Sequence, residues 1–232
     1  MQVRLLHATP LWIAKQAIRT CWDSHDKSDT YVENGVATDI EGNLGCGEKD
    51  RELIHRVGNK FKHASTLEHV SFNFEIKGIS RALLHEIART RIASISVKST
   101  RYTLKELKEE ESFMTIEHES EFMRVGIDID RGRASQYIVM TGNDLVDNAS
   151  ILALEGLRGS LNHGISNDIA KYCLPEAYKT ELTWTLNLRA LQHLIYLRSD
   201  KSALWEYRKL IQEMIKVIPE EYQYLIEEFN KG

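Results

Sequence analysis

Between Arg89 and Lys105 the chain sets out five cations, Arg89, Arg91, Lys98, Arg101 and Lys105, and positions 87 to 105 hold no Asp or Glu. Hydroxyls are interleaved among them: Thr90, Ser94, Ser96, Ser99, Thr100, Tyr102 and Thr103. Planar guanidinium forks with short O–H donors between them suit an anion rich in oxygens, such as a phosphate or a pyrimidine nucleotide. A solvated basic face with no ligand is the plainer alternative. Ile92, Ala93, Ile95 and Val97 run through the same stretch and predict that part of it is buried. Half-buried arginines need counter-charges, the local sequence offers none, and the balance moves toward a bound anion.

Other chemistry-bearing residues give weaker patterns. His63, His69 and His85 match neither HExxH nor finger spacing, so no metal site is expected; His63 and His69, flanking Thr66 and Glu68, read as a polar rim. Ser99 lies in nothing like GxSxG and reads as a contacting hydroxyl, not a nucleophile. Arg189 and His193 are four apart, on one helix face, while Arg198 falls half a turn out of phase with Arg189. That spacing leaves two readings open: unrelated surface arginines, or one helix serving two ligands. Neither GxGxxG nor GxxxxGK[ST] occurs, so a dinucleotide would need another architecture.

The elements that must position these groups follow in order. Val3 to Ala8 predicts a strand, and Leu11 to Thr20 a helix with Thr9 as cap and Pro10 at its first position. Residues 23 to 48 are polar and Gly-rich and read as a long loop; Lys49 to Phe61 returns to helical spacing. Val70, Phe72, Phe74 and Ile76 alternate with polar residues, the clearest strand, which Gly78 is expected to end. Ser80 then caps a helix through Ala88 or slightly beyond, with Glu86 and Arg89 on a common face at its C-terminal end. Residues 105 to 120 read as solvent-facing, and Leu145 to Leu161 as the best helix between Phe122 and His163. A short helix capped by Ser166 or Asn167, a β-prone Thr180 to Thr185, a helix over Leu188 to Leu197 and a final one from Ser202 to Val217, capped by Ser199, complete the chain. Its 232 residues, 42% hydrophobic and 28% charged, fit one domain of an ordinary water-soluble protein. A net charge of −4 argues against a general nucleic-acid binder. Three widely spaced cysteines and no long apolar run predict a reduced, cytoplasmic protein without membrane contact.

Arg89-Thr-Arg91, seven residues, Ser99, then Arg101-Tyr102 resembles the Arg-His-Arg signature of the flavin-dependent thymidylate synthases. His63-Ala-Ser-Thr-Leu-Glu-His69 is similar to that family's His-x-[Ser/Thr]-x-x-Glu-His block, and Asn187-Leu-Arg189 through Leu197-Arg198 to its C-terminal Asn-x-Arg…Leu-Arg block. The resemblance implies an α+β fold, an antiparallel sheet flanked by helices, in a homotetramer whose subunits share each FAD site. It implies reductive methylation of dUMP to dTMP with methylene-tetrahydrofolate and NADPH, through FAD and without a cysteine nucleophile. By position, Glu86, Arg89, Ser99, Arg101, Lys171 and Arg198 would contact dUMP, with Arg198 the catalytic cation. Ser65, Glu68, Arg89, Thr90, Arg91, Asn187, Arg189 and His193 would line FAD. Thr90 stands where the motif has His, Lys171 where Arg is usual, and Ser96-Val97 where an Asn-Glu pair is common. These departures raise the alternative of a non-catalytic relative that binds pyrimidine nucleotides.

Overall fold

In the computed structural model, which describes residues 1–102, 104–119 and 124–232, helices mix with antiparallel strands in an α+β fold. Residue contacts divide the chain into two units. The first comprises Met1, Lys77–Arg89 and Ser96–Leu182; the second comprises Gln2–Ile76, Thr90–Ile95 and Thr183–Gly232. Thr103, one of the hydroxyls of the basic stretch, lies outside the described residues, as does Phe122.

β1 (Gln2–Ala8) leads to α1 (Trp12–Cys21), which starts later than its sequence suggests. Thr9 is not its cap: the Thr9 N–H donates to the Ser71 carbonyl at 2.8 Å, and Pro10 precedes the first turn. The expected loop over 23 to 48 holds instead a short 3-10 turn, His25–Lys27, and a hairpin. Its strands are β2 (Thr30–Glu33) and β3 (Val36–Asp39), paired with Thr30 opposite Asp39. Asn34 and Gly35 close it at φ 50° and 80°, the left-handed pair that a two-residue hairpin turn requires. Arg19 ties this segment to α2 (Glu48–His55). Its Nε and Nη2 donate to Asp50 Oδ1 at 3.0 and 2.5 Å, Ser28 Oγ donates to Asp50 Oδ2 at 2.6 Å, and Arg19 also holds the carbonyls of Ser24 and Lys27.

α2 relaxes into a π-helical turn, Arg56–Lys60, and a 3-10 turn at Ala64–His69 replaces the expected polar connector. β4 (Ser71–Ser80) buries Phe72, Phe74 and Ile76 as the alternation predicts. Gly78 does not end it: at φ 70° glycine takes a left-handed residue in its stride, and the strand runs on to Ser80. Ser80 Oγ accepts the Leu83 N–H at 3.0 Å and starts α3 (Arg81–Ile87). Arg89 therefore falls beyond the helix rather than on it, its N–H donating to the Glu86 carbonyl at 3.3 Å.

β5 (Ala93–Val97) follows, then α4 (Lys105–Glu109) and an antiparallel hairpin of β6 (Met114–Glu119) and β7 (Arg124–Ile129). α5 (Arg131–Ala134) and α6 (Asp144–Asn162) come next. The solvent-facing reading of 105 to 120 needs correction, because Leu107 and Phe113 are buried. With Leu104 they pack beside Ile151, Leu154 and Leu157 of α6 in the core of the first unit. α7 (Asn167–Ala170) passes into a 3-10 turn at Lys171–Cys173. β8 (Lys179–Asn187), α8 (Leu188–Arg198), α9 (Trp205–Val217) and α10 (Glu220–Ile226) end the chain. Ser199 closes α8 instead of capping α9, its Oγ accepting the Lys231 N–H at 2.9 Å, and α9 is not the last helix. The main sheet has the order β1-β4-β8-β5, with β5 at an edge. Among the described residues no helix is long and apolar enough to cross a membrane.

Candidate functional site

In the second unit the sequence-predicted residues gather on α8 and the loops beside it. Asn187 caps α8, its Oδ1 accepting the Ala190 N–H at 2.8 Å, so a ligand is offered chiefly its amide N–H donors. Within the first turn, Arg189 Nη1 donates to Glu68 Oε1 at 2.6 Å, joining the two outer blocks of the sequence in one ion pair. Ser65 and Glu68 share the Ala64–His69 turn, and Ser65, Glu68, Arg189 and His193 are all exposed. Leu188, Leu191, Leu194 and Ile195 form the buried face of α8, which is why Arg189 and His193 point outward.

Arg198 ends the same helix, where a cation is favoured by the helix dipole. Its guanidinium lies 4.8 Å above the centre of the Tyr207 ring. Thr90 Oγ1 stands 3.4 Å from the Tyr207 hydroxyl. One buried aromatic therefore touches a residue from each predicted ligand set. Arg91 is exposed, and the next residue, Ile92, has φ 56°. A β-branched residue in that region costs about 1–3 kcal/mol, a strain that collects at ligand-binding loops.

The first unit holds Glu86, Arg89, Ser99, Arg101 and Lys171. Glu86 is half-buried on the last turn of α3, and Arg89 is exposed just after it. Ser99 to Tyr102 is a turn, closed by the Tyr102 N–H donating to the Ser99 carbonyl at 3.2 Å. Arg101 and Lys171 are brought together by Asp168, whose Oδ1 lies 3.3 Å from Arg101 Nε and 3.6 Å from Lys171 Nζ. Asn167 Nδ2 donates to the Arg101 carbonyl at 3.0 Å, and Lys98 pairs with Glu181 at 3.8 Å. For Lys98 and Arg101 the counter-charges missing from the local sequence thus arrive from distant segments.

The expected burial of the basic stretch is not found. Ile92, just before β5, is 73% exposed, and Ile95 and Val97 stay more than a third exposed on β5, an edge strand. Nor do the histidines gather: His85 pairs with Glu176 at 3.5 Å, and the described residues contain no group of three His, Cys, Asp or Glu able to hold a metal. Sequence reasoning missed Asp168 and Tyr207. Asp168 is three residues before Lys171, a helical ion-pair spacing that was readable; Tyr207 looks like any apolar-face residue of α9. A cavity of about 510 Å³ in the second unit, lined by Leu11, Trp12, Ala37, Cys46 and Arg51, includes none of the predicted site residues. Burial there pushes the Cys46 thiol up to about 12 and favours its protonated form.

Comparison with known proteins shows what the chain is similar to. Residues 4–222 match the family model described as thymidylate synthase complementing protein. A flavin-dependent thymidylate synthase from Wolinella succinogenes is 55% identical over 225 residues, covering 97% of each chain. One from Campylobacter jejuni strain RM1221 is 53% identical over 228 residues, 98% of this chain and 96% of the relative. Among solved structures, thymidylate synthase X from Helicobacter pylori with FAD and dUMP superposes with a TM-score of 0.83 at 48% identity, all of both chains being covered.

Proposed function

As the chain belongs to the thymidylate synthase complementing protein family and is a flavin-dependent thymidylate synthase, we propose that it methylates dUMP reductively to dTMP, taking carbon from methylene-tetrahydrofolate and electrons from NADPH. The observation that most supports this is the end-to-end likeness to the Helicobacter pylori enzyme, whose crystal structure carries FAD and dUMP.

The residues present suit a flavin dinucleotide. Arg91 and Arg189 offer exposed guanidinium forks to a pyrophosphate, while Asn187, His193 and Ser65 offer the amide, imidazole and hydroxyl that a ring edge or ribose accepts. Glu68 holds Arg189 at 2.6 Å and fixes where that fork points. Bound there, FAD supplies the redox chemistry, and the protein supplies position and charge. Arg101 and Lys171 would take the dUMP phosphate, displacing the Asp168 carboxylate that now lies between them; Ser99 and Glu86 would meet polar groups of the nucleotide. Arg198 would stabilise negative charge developing on the pyrimidine as its ring carbon becomes a nucleophile, a role in which a preorganised cation is strongest. No step needs an enzyme thiol. The exposed Ile92 and, on the β5 edge, Ile95 and Val97 fit burial against another copy, in keeping with a homotetramer whose subunits complete each other's sites.

The test is a visible spectrum of the purified protein with and without added FAD, together with a dTMP assay from dUMP, methylene-tetrahydrofolate and NADPH. A flavin spectrum with turnover is expected. Protein that binds dUMP yet makes no dTMP with FAD supplied would overturn the assignment. Light scattering at four times the chain mass tests the assembly.

A further inference from the structure

Resting on the role given to Arg198 above, we propose that Tyr207 is a positioning residue: its ring face holds the Arg198 guanidinium in the plane from which it acts, and its hydroxyl ties that cation to the Thr90 loop. Tyr207 is fully buried on α9, among Leu210, Ile211 and Met214 of the same helix, so its ring is fixed by the core. Arg198 is half-buried at the end of α8 and carries a long, rotatable side chain. A cation 4.8 Å above a ring centre is attracted by the negative face of the aromatic, and a planar guanidinium gains most when it lies along that face. The fixed ring thus removes freedom that Arg198 would otherwise lose on reaching the transition state.

The hydroxyl end adds a connection. A buried phenol seeks a hydrogen-bond partner, and Thr90 Oγ1 is 3.4 Å away. Thr90 belongs to the residues proposed to line FAD, and Arg198 to those proposed to act on dUMP. Tyr207 meets both, so the residue proposed to line the flavin and the guanidinium proposed to act on dUMP share one fixed ring as their support.

The experiment uses the full-length holoenzyme with Tyr207→Phe as reference and Phe analogues carrying one, two or three ring fluorines at position 207. Fluorine drains the negative face while nearly preserving ring volume, so packing stays and the cation contact weakens. Across the series kcat should fall stepwise, by about tenfold at three fluorines, the scale of one lost cation–π contact. The KM for dUMP should move far less. Tyr207→Phe itself should lose about twofold in kcat, the scale of one weak hydroxyl contact. A purely structural role would leave kcat level across the fluorinated series, and that result overturns the proposal. If the unmodified protein makes no dTMP, the role of Arg198 itself has failed. If it makes dTMP and Arg198→Ala stops it while the series stays level, only the role of Tyr207 has failed.

Discussion

The two cationic clusters stand on different footings. In the second unit, Arg189 and Arg198 project from α8, a helix of 11 residues whose other face is buried and whose first turn is capped by Asn187. In the first unit, Arg101 sits in a turn and Lys171 in a 3-10 segment after the four-residue α7, and both reach Asp168, whose side chain is 65% exposed. A cation with a buried foundation keeps its direction whether or not a ligand is present. A cation on a turn, held by an exposed carboxylate, follows whichever anion binds better, since exposed ion pairs add little stability. The contrast matches the work proposed for each: charge stabilisation demands a preset geometry, whereas capture of a phosphate tolerates adjustment.

The sharpest way to break this contrast is at its most rigid point. Arg198→Ala should lower dTMP formation by about 10²–10³-fold, the scale of removing one preorganised charge-stabilising group. Circular dichroism and the flavin spectrum should remain those of the unmodified protein. An active variant would move the catalytic charge elsewhere.

The foundation of the second unit can be attacked directly at the Arg19–Asp50 pair, which is almost wholly buried. Asp50→Ala leaves the Arg19 cation buried without that carboxylate and should cost about 3–5 kcal/mol in urea unfolding. Burial alone would raise the Asp50 carboxyl, but hydrogen bonds from Ser28 and Arg19 and the Arg19 charge hold it below the ordinary range. A lowered folded-state value means that this stabilisation is complete above the unfolded carboxyl's titration, near pH 4, and is lost as pH falls through the folded value. The unmodified protein should therefore lose stability more steeply than Asp50→Ala on acidification below about pH 4.

How legible each region was in the sequence follows from the range of the interactions that build it. β4, α3 with its Ser80 cap and α8 come from alternation, capping and helical spacing within a few residues and are legible locally, although β4 runs past Gly78 to Ser80 and α3 stops short of Arg89. Glu68 and Arg189 were recognisable as block residues, but their ion pair closes over 121 positions and only the fold displays it. The hairpin over 30 to 39 was readable from Asn34-Gly35; the surrounding glycines and polar residues concealed it behind the look of a loop. The edge position of β5 is set by strand order, which no local pattern encodes, so burial of Ile95 and Val97 was wrongly expected. Tyr207 was invisible for a related reason: an aromatic on an apolar helix face says nothing of the arginine lying across it.

Within the second unit the outward end of α8 gives a smaller effect. Arg189→Ala should weaken FAD binding by about tenfold, the scale of one charge-assisted hydrogen bond, when followed by flavin fluorescence. Glu68→Gln should weaken it less, because it loosens the Arg189 fork without removing it. Equal effects would mean that Glu68 meets the flavin itself.

The smallest and most discriminating effect belongs to Asp168 in the first unit. Its carboxylate lies within 3.6 Å of both Arg101 and Lys171, the cations proposed to receive the dUMP phosphate, and it must give way when the phosphate arrives. Asp168→Asn keeps the size of the side chain and removes its charge. If the first cluster is adjustable, the KM for dUMP should fall by about two- to fivefold at low ionic strength, the scale of an exposed ion pair no longer broken on binding. The gain should shrink above about 0.5 M salt, where the Debye length is only a few ångströms. kcat should be unchanged, because no charge of the transition state is assigned to this cluster. A raised KM would instead make Asp168 the brace that holds two turn-borne cations ready. The first cluster would then be as preorganised as the second, built from loops and a carboxylate where the other uses a helix and a buried ring.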